Sequence, residues 1–147
     1  MTEQTTRPVE NAAAGRQASA GGLARVWIFQ PTIQHYRLPI FDELLERGRR
    51  EGLYELTVLG GMNNGGAHGG GKRPYFRDVP EETYKRGVTF CWWPGSTGMV
   101  ESERPDLVVL TGNPRSSSAW RLPRVCASLG IPCIGWSKVH SYSALRR

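Results

Sequence analysis

The most informative run of hydrogen-bonding side chains is QPTIQHYR, residues 30–37, directly behind a short apolar segment. Gln30, His35, Tyr36 and Arg37 offer an amide, an imidazole, a phenol and a guanidinium, a set that suits sugar hydroxyls or phosphate oxygens. If the apolar segment is a strand, these groups leave its C-terminal end, the edge where open α/β sheets receive ligands. The same residues would equally serve to staple the next helix onto the sheet, and composition alone does not choose between the two. A second run, TGNPRS at 111–116, follows another apolar segment. There Gly112 permits close backbone approach, Asn113 and Ser116 can cap a helix, and Arg115 can hold a carboxylate or other anion through two parallel hydrogen bonds. Capping alone accounts for this run without a ligand. A third, WSKVH at 136–140, places Lys138 and His140 behind the last apolar segment. Either could supply a charge or move a proton, or the segment is simply a solvated terminus.

Other chemistries have poorer footing. Gly66 to Lys72 traces G-x-x-x-x-G-K, but Arg73 stands where a phosphate-binding loop needs the Ser or Thr that holds magnesium. Pro74, Tyr75 and Phe76 then start no convincing helix, so the pattern reads as a glycine-rich loop. PGSTG at 94–98 lacks the first glycine of a nucleophile elbow. His35, His68 and His140 have no helical spacing and stand apart from the cysteines, so no metal site is expected. Cys126 and Cys133 read as core residues.

The net charge of +6 suits an anionic partner. The arginines are scattered in short groups and no block resembles a nucleic-acid arm, so nucleic acid is not expected. Three cysteines, Cys91, Cys126 and Cys133, cannot all pair within one chain and form no C-x-x-C, which points to a reducing compartment. No signal sequence or spanning stretch of about 18 apolar residues is visible. A cytoplasmic protein, or one held peripherally at the inner membrane face, is the expectation.

The elements that must carry these groups can be read from apolar patterning. Residues 1–22 hold too little apolar surface to fold and are expected to be a disordered leader. Strands are predicted at Ala24–Phe29, Tyr54–Leu59, Val88–Trp93, Leu107–Thr111 and Ile131–Trp136. A helix over Pro39–Arg50 would bury Ile40, Phe41, Leu44 and Leu45, with acids early, arginines late and Gly52 as its stop. A flexible loop spans 60–73. A second helix over Ser116–Leu129 would bury Trp120, Val125 and Leu129, bend or break at Pro123 and end at Gly130. Near-continuous apolar strands alternating with helices imply a doubly wound α/β domain with a parallel sheet of about five strands. The stretch from Trp93 to Leu107 is barely long enough for a parallel crossover.

Three segments together resemble the N-terminal domain of GT-B type glycosyltransferases of the family-4-like branch. RVWIFQPTIQHYRLPIFDELL is similar to that family's opening strand, Q-P…Y-R…P-x-F-x-x-L turn and first helix. RPDLVVLTGNPRSSSAWRL is similar to its P-D-V-V-x-x-x-G-N-P-R strand and helix start, and GIPCIGWSKVHS to its G-I-P-V-x-x-W-x-H-G strand and loop. They cover about a third of the chain.

The resemblance implies two Rossmann-like domains facing a cleft, the first binding the acceptor and the second a nucleotide-sugar. Residues 23–147 would then be an incomplete acceptor half, truncated or partial, with no cofactor and no activity alone. Gln30, His35, Tyr36, Arg37, Gly112, Asn113 and Arg115 would bind a sugar or lipid-linked acceptor. The family's His-Gly is replaced by Lys138-Val139, with His140 two positions later, so the catalytic group is unassigned, with Lys138 and His140 as its candidates. A separately encoded donor-binding domain would make the chain one subunit of a split enzyme. A non-catalytic module contacting a partner protein or an anionic membrane surface is the competing reading.

Overall fold

Strand β1 (Ala24–Thr32) is the centre of the molecule, because its β-branched and aromatic residues are covered on both faces. The computed structural model describes residues 22–33, 35–61, 73–79 and 81–136. Nearly all of the expected leader, and residues 62–72 of the expected loop, lie outside these.

β1 pairs in parallel with β2 (Tyr54–Gly61) on one side and β6 (Leu107–Thr111) on the other. β3 (Phe76–Asp78) extends the sheet beyond β2, and β7 (Cys133–Trp136) extends it beyond β6. The five strands are all parallel and run in the order β3-β2-β1-β6-β7, a Rossmann-like doubly wound α/β sheet. Alternation along the strands then sorts side chains to two faces. Ile28, Leu56 and Val58 meet Leu38 and Phe41 of helix α1 (Leu38–Glu51) on one face. Trp27, Phe29, Val108 and Leu110 meet Val100 of α2 (Ser96–Glu103) and Leu122 and Cys126 of α3 (Ser117–Leu129) on the other.

One expected strand has a different partner. Val88–Trp92 forms strand β5, which pairs antiparallel with β4 (Glu82–Arg86) as a hairpin turned at Gly87, where φ is 74°. It is tied to the region of α3 by a parallel bridge from Cys91 to Ser116, with the Cys91 N–H donating to the Arg115 carbonyl at 2.9 Å. The fifth strand of the main sheet is instead β3, whose sequence FRD is short and two-thirds charged. α2 fills the crossover between β5 and β6.

The helices also depart from their patterns. α1 ends as expected, with Gly52 at φ 63° and its N–H, with that of Leu53, closing on the carbonyls of Arg49 and Gly48. Its first turn, however, holds no acid, and Ile40 is exposed. α3 runs unbroken through Pro123 and ends at Gly130, φ 66°. Its buried stripe is Ser118, Leu122 and Cys126, with Val125 and Leu129 partly buried beside it. Trp120 lies about half a turn from Leu122 and is 60% exposed.

The N-terminal edge of the sheet is tied by charge. The Arg25 guanidinium donates to the carbonyls of Glu103 and Arg104, the last residue and C-cap of α2, while the Arg25 N–H donates to the Asp106 carboxylate and the Arg25 carbonyl accepts from the Asp106 N–H. Arg77 grips the Glu103 carboxylate through 2.8 and 3.0 Å contacts.

Candidate functional site

From β1 the chain winds one way through β2 to β3, and later the other way through β6 to β7. The C-terminal ends of β1 and β6 therefore flank the topological switch point, where connections diverge and leave a crevice. QPTIQHYR leaves β1 there and TGNPRS leaves β6 there, so the first two runs of polar side chains lie on one edge.

Gln30 is wholly buried. Its Oε1 accepts a hydrogen bond from Arg37 Nη1, and its Nε2 has no partner among the described residues. The η1 turn (His35–Arg37) leads directly into α1, with Arg37 as N-cap and no side-chain cap bond. The half-buried Arg37 guanidinium also stands 5.7 Å from the Tyr36 ring centroid and 5.4 Å from that of Trp136, the last residue of β7. Tyr36 and His35 are exposed, their rings edge to face at 5.9 Å. Thr111 lies between, paired with Trp136 and donating through Oγ1 to the Phe29 carbonyl at 3.1 Å. Gln30, Arg37, Tyr36 and Trp136 thus form one cluster, and His35 sits on its solvent side.

The loop after β6 is largely self-satisfied. Gly112 N–H donates to the Trp136 carbonyl at 3.0 Å, Asn113 Oδ1 accepts from Arg115 N–H at 3.0 Å, and Asn113 Nδ2 approaches Cys91 Sγ at 3.6 Å. Ser116 is the N-cap of α3, its Oγ accepting from Ala119 N–H at 3.3 Å. Asn113 therefore shapes the turn, while the capping expected of the pair falls to Ser116 alone. Arg115 is exposed. Trp120, expected in the core, instead fixes its ring by donating from Nε1 to the Pro114 carbonyl at 3.2 Å. Gly112, Asn113, Pro114, Ala119 and Trp120 line a surface cavity of ≈ 250 Å³. Trp136 links the two halves of this edge, its ring facing Arg37 and its carbonyl facing Gly112. Lys138 and His140 lie outside the described residues.

The cysteines are poor nucleophiles. Burial, then the hydrogen bond and charge of Glu81, push the Cys91 thiol up to about 11, with Ser116 opposing weakly. Burial and the neighbouring Cys133 push Cys126 up to about 12, and burial raises Cys133. Cys126 is fully buried and Cys133 packs partly against the same core. Among the described residues no three His, Cys, Asp or Glu side chains gather as a metal site, and no helix is long and apolar enough to cross a membrane.

No family model, curated protein or solved structure matches the chain.

Proposed function

We propose that the chain carries the acceptor-binding domain of a GT-B type glycosyltransferase, which transfers a sugar only with a nucleotide-sugar-binding domain across the cleft. One observation carries the reading. The two polar turns expected to contact an acceptor flank a single switch point, joined through Trp136, with exposed aromatic rings and arginines around the crevice. Aromatic faces suit the apolar side of a sugar ring, and guanidinium donors suit its oxygens. The groups that would hold the acceptor are Arg37, Tyr36, Arg115 and the Gly112 backbone, with Gln30 and Asn113 fixing their positions. His35 borders the site, and Lys138 or His140 would supply any charge from the segment after β7.

The test is an acceptor screen with radiolabelled nucleotide-sugars, run on the chain alone and with candidate donor-binding polypeptides. No transfer alone and transfer on addition of a partner is the expected result. Transfer by the chain alone would overturn its insufficiency.

A second reading is favoured by α3, which carries exposed Trp120, Arg121 and Arg124 and no acidic residue. Such a surface fits an anionic membrane and a non-catalytic module. Flotation with anionic vesicles, combined with no transfer under any pairing, would favour that module over the split enzyme.

A further inference from the structure

Strand β4 pairs with β5 alone among the described residues, and Glu82, Thr83, Tyr84 and Lys85 are all exposed. One contact fixes the bonding phase of the hairpin. The Cys91 N–H donates to the Arg115 carbonyl at 2.9 Å, away from β4, so Thr83 and Cys91 are a non-hydrogen-bonded pair. Such pairs alternate with hydrogen-bonded ones along an antiparallel ladder. Lys85 and Thr89 are therefore a pair of the same kind, and Thr83 and Lys85 both turn their N–H and C=O groups to the outer edge of β4. Among the described residues no backbone bond from outside the hairpin reaches them. An edge of this kind is a template for another strand. Positions 82, 84 and 86 share one face of it, where Tyr84 stacks on Phe90 with ring centroids 5.4 Å apart and planes at 15°.

We infer that β4 is the interface of a twofold dimer, in which the edges of two copies pair antiparallel with Thr83 of each opposite Lys85 of the other. Both residues face outward, so each such pair exchanges both of its backbone bonds. The same register sets Glu82 opposite Arg86 of the second copy and Tyr84 opposite Tyr84, where the closer non-hydrogen-bonded spacing brings side chains together. Charges commonly blunt an edge against association. In ETYKR they stand with opposite signs on either side of Tyr84, so a twofold axis at Tyr84 matches them, as an isologous interface requires. The two neighbouring registers lack this match. Thr83 opposite Thr83 sets Tyr84 against a carboxylate and leaves Arg86 beyond the partner strand, and Lys85 opposite Lys85 sets like charges together. The product is a four-stranded antiparallel sheet with β5 on both flanks and an aromatic row of Phe90 and Tyr84 from each copy across one face. A five-residue strand makes a small interface, so the dimer is weak and forms in proportion to concentration. Pairing of this edge requires neither an acceptor nor a donor-binding domain.

The experiment is sedimentation velocity of the full chain over a wide range of concentration, with amide hydrogen exchange in parallel. A monomer–dimer equilibrium is expected. The Thr83 and Lys85 amides should gain protection as the dimer fills, while the Tyr84 amide, bonded to β5, is protected throughout. Glu82→Arg and Arg86→Glu each set like charges opposite one another across the axis, and each should weaken self-association at least about tenfold. Mixed together, the two variants restore opposite charges at both positions and should form a heterodimer, which also shows that each is folded. Thr83→Pro removes an N–H that the hairpin leaves unused and should abolish the dimer independently of charge. A monomer at every concentration overturns the interface, as does a dimer retained by both charge variants and by Thr83→Pro. Protection of Thr83 and Lys85 that dilution leaves unchanged would assign the edge to another segment of the same chain and overturn it as well.

Discussion

Gly60 lies so close to the backbone carbonyl of Gln30 that a β-carbon at position 60 would collide with it. Glycine is thus required where β2 passes the end of β1. The obstacle is backbone, which cannot rotate aside as a side chain can. Gly60→Ala should cost about 1–3 kcal/mol, the usual range for overpacking, read as a lower midpoint in urea unfolding. Because the strain falls on Gln30, the variant should also disturb the Arg37 cluster, visible as altered amide shifts through residues 35–38.

Two tryptophans should respond in opposite ways to truncation. Trp93 is 2% exposed and packs on Phe29 with ring centroids 5.6 Å apart, so Trp93→Ala should cost about 3–5 kcal/mol. Trp120 has one hydrogen bond and is mostly in solvent, so Trp120→Ala should cost under about 1 kcal/mol. Its effect belongs in binding, where sugar or vesicle titration should weaken while the unfolding curve barely moves.

The start of α3 is a separate test. Ser116→Ala removes the N-cap acceptor and should destabilise by about 1 kcal/mol. Ser116→Thr keeps a hydroxyl acceptor at this wholly buried cap and should recover part of that stability, as chemical denaturation of the three proteins would report. No recovery in Ser116→Thr would place the role of Ser116 in its contact with Cys91 rather than in the cap.

Alkaline pH should weaken the fold from about pH 9 upward. Tyr75 is pushed up from 10.0 to about 12, first by burial and then by its hydrogen bond to Asp42. Cys91 is pushed up from 9.0 to about 11 and Cys126 from 9.0 to about 12. In each case the unfolded chain releases its proton first, so it holds fewer protons than the folded chain across the interval and stability falls as pH rises. The stabilisation is complete below the unfolded values and is lost between about pH 9 and 12. Tyr75→Phe should flatten the part above pH 10 in melting curves. Cys91 and Cys126 should resist alkylation at pH 8 until the protein is unfolded.

The legible part of this fold was its apolar runs. β1, β2 and β6 announce themselves because both sheet faces are covered, leaving little polar interruption, while β7 reads as a strand from its apolar run although Ile134 and Trp136 are exposed at the sheet edge. Val88–Trp92 also reads as a strand, but a run of apolar residues does not name its neighbour, and the polar ETYKR before Gly87 concealed the hairpin. β3 is three residues long with two charges, so only its pairing to β2 reveals it. Gln30 and Arg37 stood out as polar groups at a strand end. Trp120 patterns as a core residue only if Pro123 interrupts the helix; α3 is unbroken, and in its phase Ser118, Leu122 and Cys126 mark the inner face. The link from Trp136 to Arg37 joins residues distant in sequence, and no local pattern encodes it.

The bonds of Arg25 to the end of α2, with Asp106 and the Arg77–Glu103 pair, bind β1, α2 and β6 at the rim opposite the candidate site. Anchorage and the candidate site therefore occupy separate poles of one sheet. Changes in the loops after β1 and β6 leave the anchored pole untouched, so the strands keep their register there.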